Sequence, residues 1–146
     1  MAFHFTLAAV LKLRESIERQ EYLALEKIHL EITRTQNELK QVEQQQTELQ
    51  QSRDTQLAGS IPSIHLQNIF EQVAALEQRK DVLRAALAEL DKKREQQLKI
   101  FKEARQKKEV LESLRERQHS IYVREETKRL QTLMDDLYLA RLQRRK

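Results

Sequence analysis

Four histidines, His4, His29, His65 and His119, are the side chains best suited to hold a metal or to move a proton near neutral pH. They lie far apart, with no H-x-x-x-H or H-E-x-x-H spacing among them, and read as ordinary solvated residues. The adjacent carboxylates Asp135 and Asp136 could in principle work as an acid–base pair. Such chemistry needs a concave, water-excluding pocket to shift pKa values and seat a substrate, and a thin helical chain offers none. With no cysteine, thiolate catalysis, disulfides and cysteine-based zinc sites are excluded; with one glycine, so is a phosphate-cradling loop. Neither an enzyme, a cofactor, a metal nor a small-molecule substrate is expected.

Charge is the next candidate for function. The net +4 hides an asymmetry: residues 1–90 hold 10 Lys/Arg against 13 Asp/Glu, and residues 91–146 hold 17 against 10. The segment Lys92–Lys108 could bind nucleic acid or an anionic membrane by releasing counterions. Glu95, Glu103 and Glu109 are interleaved with it, however, and i,i+4 pairs such as Glu103 to Lys107 describe a salt-bridged, solvated face. Nucleic acid is therefore not the expected ligand, and a basic coiled-coil module acting through 92–108 and 141–146 is the alternative reading.

The elements that must carry any site follow from composition. Charged residues make up 34% of the chain and aromatics 5%, too few large apolar side chains for an ordinary globular core. Ala, Glu, Gln, Leu, Lys and Arg dominate, which is the composition of long helices or coiled coil. The only glycine and the only proline, Gly59 and Pro62, stand together in L-A-G-S-I-P-S-I. Glycine ends helices by taking positive φ and proline starts them, so the stretch reads as a stop followed by a start. The expected fold is all-α, an antiparallel two-helix coiled-coil hairpin with a longer C-terminal helix. One domain is expected, with helix one at about 4–57, a tip at 58–63 and helix two at about 64–143.

Stripes at three- and four-residue spacing support both arms. The first runs through Leu7, Val10, Ile17, Ala24, Ile28, Ile32, Leu39, Val42 and Leu49, interrupted by Arg14, Glu21, Thr35 and Gln46. The second runs through Leu66, Ile69, Val73, Leu76, Leu83, Leu87, Leu90 and Phe101, then Leu111, Leu114 and Ile121, interrupted by Lys80 and Arg94. Reversal near residue 61 sets position i opposite about 122 − i, which pairs Leu49 with Val73, Leu39 with Leu83 and Ile32 with Leu90. The same arithmetic sets Arg14 near Lys108, where fraying or a partner is expected. The second arm outruns the first by about 25 residues, or ~37 Å of helix. This stretch, 122–146, carries Leu130, Leu133, Leu137, Tyr138 and Ala140 on one face, with Arg124, Lys128, Arg129 and Arg141 around it, and is an expected contact surface.

Near the tip, Ile61, Ile64, Ile69 and Phe70 add apolar side chains beyond those the seam needs. Local packing and a second docking surface both account for them, and Leu49, Phe70, Val73 and Leu76 are the best candidates for docking. The opening apolar run lacks a basic lead and is cut short by Lys12, Arg14 and Glu15, so neither a secretory signal nor a membrane anchor is expected. The cytoplasm is the default compartment for a chain without cysteines.

Two segments resemble the flagellar FliJ family. F-H-F-T-L-A-A-V-L-K-L-R-E at 3–15 has its aromatic-x-aromatic-x-Leu opening followed by an Arg–acidic pair. K-K-E-V-L-E-S-L-R-E-R-Q-H-S-I-Y-V-R-E-E at 107–126 places Leu111, Leu114, Arg115, Arg117, Tyr122 and Glu126 as that family does. The resemblance implies a non-enzymatic component of the flagellar type III export machinery, a hairpin inserted in the hexameric export ATPase and similar to the shaft of rotary ATPases. It also implies roles in assembling that ATPase, docking on the export gate membrane protein and escorting export chaperones, with membrane contact only through partners at the cytoplasmic face. On this reading Phe3, Phe5, Leu7, Leu11, Leu130, Leu133, Leu137 and Arg141 meet the ATPase ring, and Leu49, Phe70, Val73 and Leu76 meet the gate. Stalk proteins of virulence-type secretion systems are the related alternative.

Overall fold

A computed structural model describes residues 2–59 and 63–145. It holds two α-helices, α1 at Ala8–Leu57 (50 residues) and α2 at Ser63–Arg145 (83 residues), and no strand among the described residues. The fold is all-α, with two long helices packed antiparallel and the second the longer. Contacts divide the chain into unit 1, Met1–Gln20 with Lys102–Lys146, and unit 2, Glu21–Phe101.

In unit 2, Glu21 meets Gln97, Tyr22 meets Phe101 and Glu38 meets Arg79, so α1 and α2 run in opposite directions at a residue sum close to the expected 122. Leu25, Ile32, Val42, Ile69 and Leu83 are buried. Half-buried residues fill the steps between them: Ile28, Thr35, Leu39, Gln46, Leu49 and Arg53 on α1, and Leu66, Val73, Leu76, Lys80, Leu87 and Leu90 on α2. Burial thus advances by alternating steps of three and four, the heptad condition for a two-helix seam. Polar residues such as Thr35 and Lys80 hold their places in this period instead of breaking it, because their carbon stems lie along the seam.

Unit 1 corrects the start of the first stripe. Its buried residues are Phe5, Leu11 and Ala104, whereas Val10 is 40% exposed and Leu7 36%. On α2 the seam continues through Lys108, Leu111, Gln118 and Tyr122, while Ile121, expected to face inward, is 54% exposed. Val10 and Ile121 each stand one residue out of the phase that the buried positions keep, and one residue is a rotation of ~100° on a helix, while Leu7, in step with Leu11, precedes the first residue of α1. Helix α1 begins only at Ala8 because the lead-in is used otherwise: the Ala8 N–H donates to the Phe5 carbonyl at 3.2 Å, and Phe5 tucks into the core.

Lys108 does not face Arg14 as a bare like-charge pair. Its ammonium bonds the Glu18 carboxylate at 2.5 Å, both side chains being largely shielded, and Glu112 lies 3.8 Å away. The hydrogen bond to Glu18 raises the Lys108 pKa above the ordinary lysine value, desolvation opposes it, and Glu18, Glu112 and Glu15 add attraction. In unit 2 the Gln97 amide donates to both the backbone carbonyl and the carboxylate of Glu21. Tyr22, stacked on Phe101 with ring centroids 5.8 Å apart, has its hydroxyl pKa raised by a hydrogen bond to Glu26.

The helix stop departs from the expected one. Gly59 has no positive φ; its N–H donates to the Gln56 carbonyl at 3.1 Å, a tightened last turn. Pro62, Ile61 and the reversal near residue 61 lie outside the described residues.

A Cβ added at Gly59 would meet only the Gln56 carbonyl oxygen, at 3.8 Å. Gly59→Ala should therefore raise stability by about 0.4–1 kcal/mol through the unfolded chain; a lowered melting temperature would show that this backbone needs glycine. Because the pKa values of Lys108 and Tyr22 are raised in the folded chain, their contributions are complete at neutral pH and vanish as pH climbs through those raised values. Urea midpoints should hold across neutral pH and fall above about pH 10. Lys108→Met should cost about 1–3 kcal/mol at neutral pH, by leaving Glu18 unpaired, and make the alkaline fall shallower.

Candidate partner-docking surfaces

The N-terminal lead-in closes one end of the unit 1 seam. The Phe3 ring meets His119 edge-on with centroids 5.0 Å apart and Tyr122 at 5.6 Å, and Phe5 and Leu11 line a cleft of about 300 Å³ with Ala8 and Arg115. Of the expected ring-facing residues, Phe5 and Leu11 are therefore occupied by internal packing, at 5% and 4% exposure, and present no free apolar surface. Phe3 is half-buried, and Leu7 remains accessible. His119, expected to be merely solvated, is half of this clasp. The residue sum had the information: 3 and 119 add to 122, but a seam read only from aliphatic residues passes over it.

Beyond Tyr122 the character of α2 changes. From Val123 to Arg145 only Glu126 is shielded from full exposure. Leu130, Leu133 and Leu137 are 57–59% exposed in company with Leu139, and Met134 and Tyr138 are more open still. Arg141 is exposed beside them. Continuing the seam period past Tyr122 leads to Glu125, Arg129, Thr132, Asp136, Leu139 and Gln143, three of them charged and only Leu139 apolar. The apolar stripe has moved one residue on, to Leu130, Leu133, Leu137 and Ala140. Eight residues separate Tyr122 from Leu130, which sets the stripe about 80° around the helix from the seam direction at Tyr122. This face is not a frayed continuation of the internal seam; it points elsewhere.

Unit 2 has a second exposed apolar feature. A groove of about 520 Å³ is lined by Gln45, Glu48, Leu49 and Ser52 from α1 and Gln72, Ala75 and Leu76 from α2. Leu49 and Leu76, two of the four expected tip-half residues, meet there. Val73 is a half-buried seam residue, and Phe70 is 55% exposed without lining the groove. The neighbours that made the difference, Ala75 and the aliphatic stems of Gln45 and Gln72, carry no aromatic or leucine signal in sequence.

The basic segment behaves as its interleaving suggests. Lys92 pairs with Glu89 and Arg94 with Asp91 at 3.8 Å each, and Arg105 binds Glu109 at 3.1 Å. Such local pairing spends much of the positive charge within the helix surface. Among the described residues no three His, Asp or Glu side chains gather as a metal site requires, and no helix is long and apolar enough to cross a membrane.

The family model described as Flagellar FliJ protein matches residues 3–146, almost the whole chain. The chain belongs to the FliJ family. Neither a curated protein nor a solved structure matches it. FliJ membership carries a flagellar export-related role, the family being a non-catalytic component of that apparatus. The match spans both the Phe3 clasp and the shifted stripe, so both belong to the FliJ-matching part of the chain.

The clasp has a measurable weight. Phe3→Ala should lower unit 1 stability by about 0.5–1.5 kcal/mol from the lost ring contacts, more with lost burial. Urea unfolding followed through residues 1–20 by hydrogen exchange would read it, and unchanged protection there would show the clasp to be idle.

Proposed function

We propose that this FliJ-family chain is a stalk and assembly factor of the flagellar type III export ATPase, its unit 1 helix end seated in the hexameric ATPase ring. The observation that carries the reading is the exposed stripe of Leu130, Leu133 and Leu137, set in its own phase on α2 and flanked by Arg124, Lys128, Arg129 and Arg141. An apolar stripe that its own chain does not cover is the kind of face a partner buries, and family membership says which machinery supplies that partner. Leu7 and Phe3 border the ring-facing surface, while Phe5 and Leu11 act by holding the clasp that shapes it. Arg141 supplies charge at its far end.

In the same reading the tip-half groove at Leu49 and Leu76, with Phe70 and Val73 beside it, docks on the export gate membrane protein. Export chaperones are further partners, escorted during flagellum assembly. The protein then works in the cytoplasm at the inner face of the cell membrane, touching it only through the gate, and needs no cofactor. The ion pairs of the 89–109 stretch leave the nucleic-acid alternative without a structural observation in its favour.

The triple substitution Leu130→Ser, Leu133→Ser and Leu137→Ser changes exposed positions only, so helicity and melting should shift little, each within about 0.5 kcal/mol. Stimulation of ATPase ring assembly should be lost. A variant that folds and stimulates as the wild type does would refute the ring placement.

A further inference from the structure

We infer that the end of unit 2 bounded by Gly59 and Ser63 is a cooperative opening segment, in which α1 residues 43–59 and α2 residues 63–79 separate while the rest of unit 2 stays paired. Four observations converge on it. First, the seam there contains polar atoms with nothing to bond: Nε2 of Gln46 and Nε of Arg53 are buried without a hydrogen-bond partner. Asp54 Oδ1 is 4.0 Å from that Arg53 nitrogen, too far for a hydrogen bond. Gln46 and Arg53 occupy seam positions on either side of Leu49, so each costs a layer its apolar contact and leaves a desolvated donor unsatisfied.

Second, side-chain bonds between the helices stop short of this end. Among the described residues of unit 2 they join Gln97 to Glu21 and Arg79 to Glu38, and none lies nearer to Gly59. Third, both helix ends there lack electrostatic support: the last turn of α1 has no basic residue and the first turn of α2 no acidic one. Neither helix dipole therefore meets a favourable charge within its own end turn. Fourth, the groove of about 520 Å³ beside Leu49 and Leu76 removes packing partners from these two half-buried seam residues, leaving Ile69 as the one buried side chain of the segment.

These terms act on the same few layers, and a hairpin end whose layers are each weak opens as a block with both strands moving together. Opening would turn the inward faces of Leu49, Val73 and Leu76 to solvent, converting a shallow groove into a wider apolar cleft. That conversion is a property of this chain alone and does not rest on the identity of any partner.

Hydrogen exchange of the full-length protein at neutral pH tests it. Peptides from 43–59 and from 63–79 should exchange at least about 100-fold faster than those from 21–39 and 83–101, and at similar rates to one another, as a shared opening demands. The double variant Gln46→Leu with Arg53→Leu replaces the unsatisfied donors by apolar seam residues and should slow exchange on both strands about tenfold or more. Residues 21–39 should not respond. Uniform protection along unit 2 would overturn the inference, as would slowing confined to α1, which would indicate end fraying of one helix without shared opening.

Discussion

The structure depends on one narrow seam in which every third and then fourth residue must face the other helix, whatever its chemistry. Leu11, Leu25, Ile32, Val42, Ile69 and Leu83 satisfy the requirement with carbon. Glu18, Glu21, Gln97 and Lys108 satisfy it with hydrogen bonds across the helices. A half-buried polar pair adds little net stability compared with two leucines, but it penalises any slip that would strand one partner, so it fixes which layers meet. The Glu18–Lys108 and Glu21–Gln97 pairs set the antiparallel register on their respective units, and apolar layers supply the attraction.

Because the seam is thin, it leaves most of the surface of both helices exposed, and function must be sought on faces. A face matters when it is apolar and out of phase with the seam. Leu130, Leu133 and Leu137 meet both conditions, whereas the exposed Val110 and Leu30 stand singly among charged neighbours. The clasp of Phe3 on His119 and Tyr122 sits next to the point where the phase changes, so the same residues that finish the internal packing also mark where the outward face begins.

Much of this was legible in the residues themselves. Helical composition, the lone Gly59 beside Pro62 and a residue sum near 122 were enough for two antiparallel helices of unequal length, and the Leu130 stripe stood out by spacing alone. What escaped was phase. Val10 and Ile121 are as apolar as Leu11 and Tyr122, and hydrophobicity cannot say which of two adjacent residues faces inward when polar residues share the seam. Phe5 enters the ring-facing set only through the family resemblance, and it precedes α1, so no helical periodicity shows that it tucks into the core. Gly59 was read as a positive-φ cap, the usual use of glycine at a helix end, whereas here the turn closes with ordinary backbone angles.

The central claim is that the outward stripe on α2 follows its own phase and is the face a ring-shaped partner grips. Photo-crosslinking from single positions, in the presence of the hexameric export ATPase, addresses it residue by residue. Probes at 130, 133 and 137 should capture the ATPase, and probes at 129, 132 and 136, also exposed but on the seam's continuation, should capture little. Equal capture from both sets, or capture from the second set alone, would contradict it.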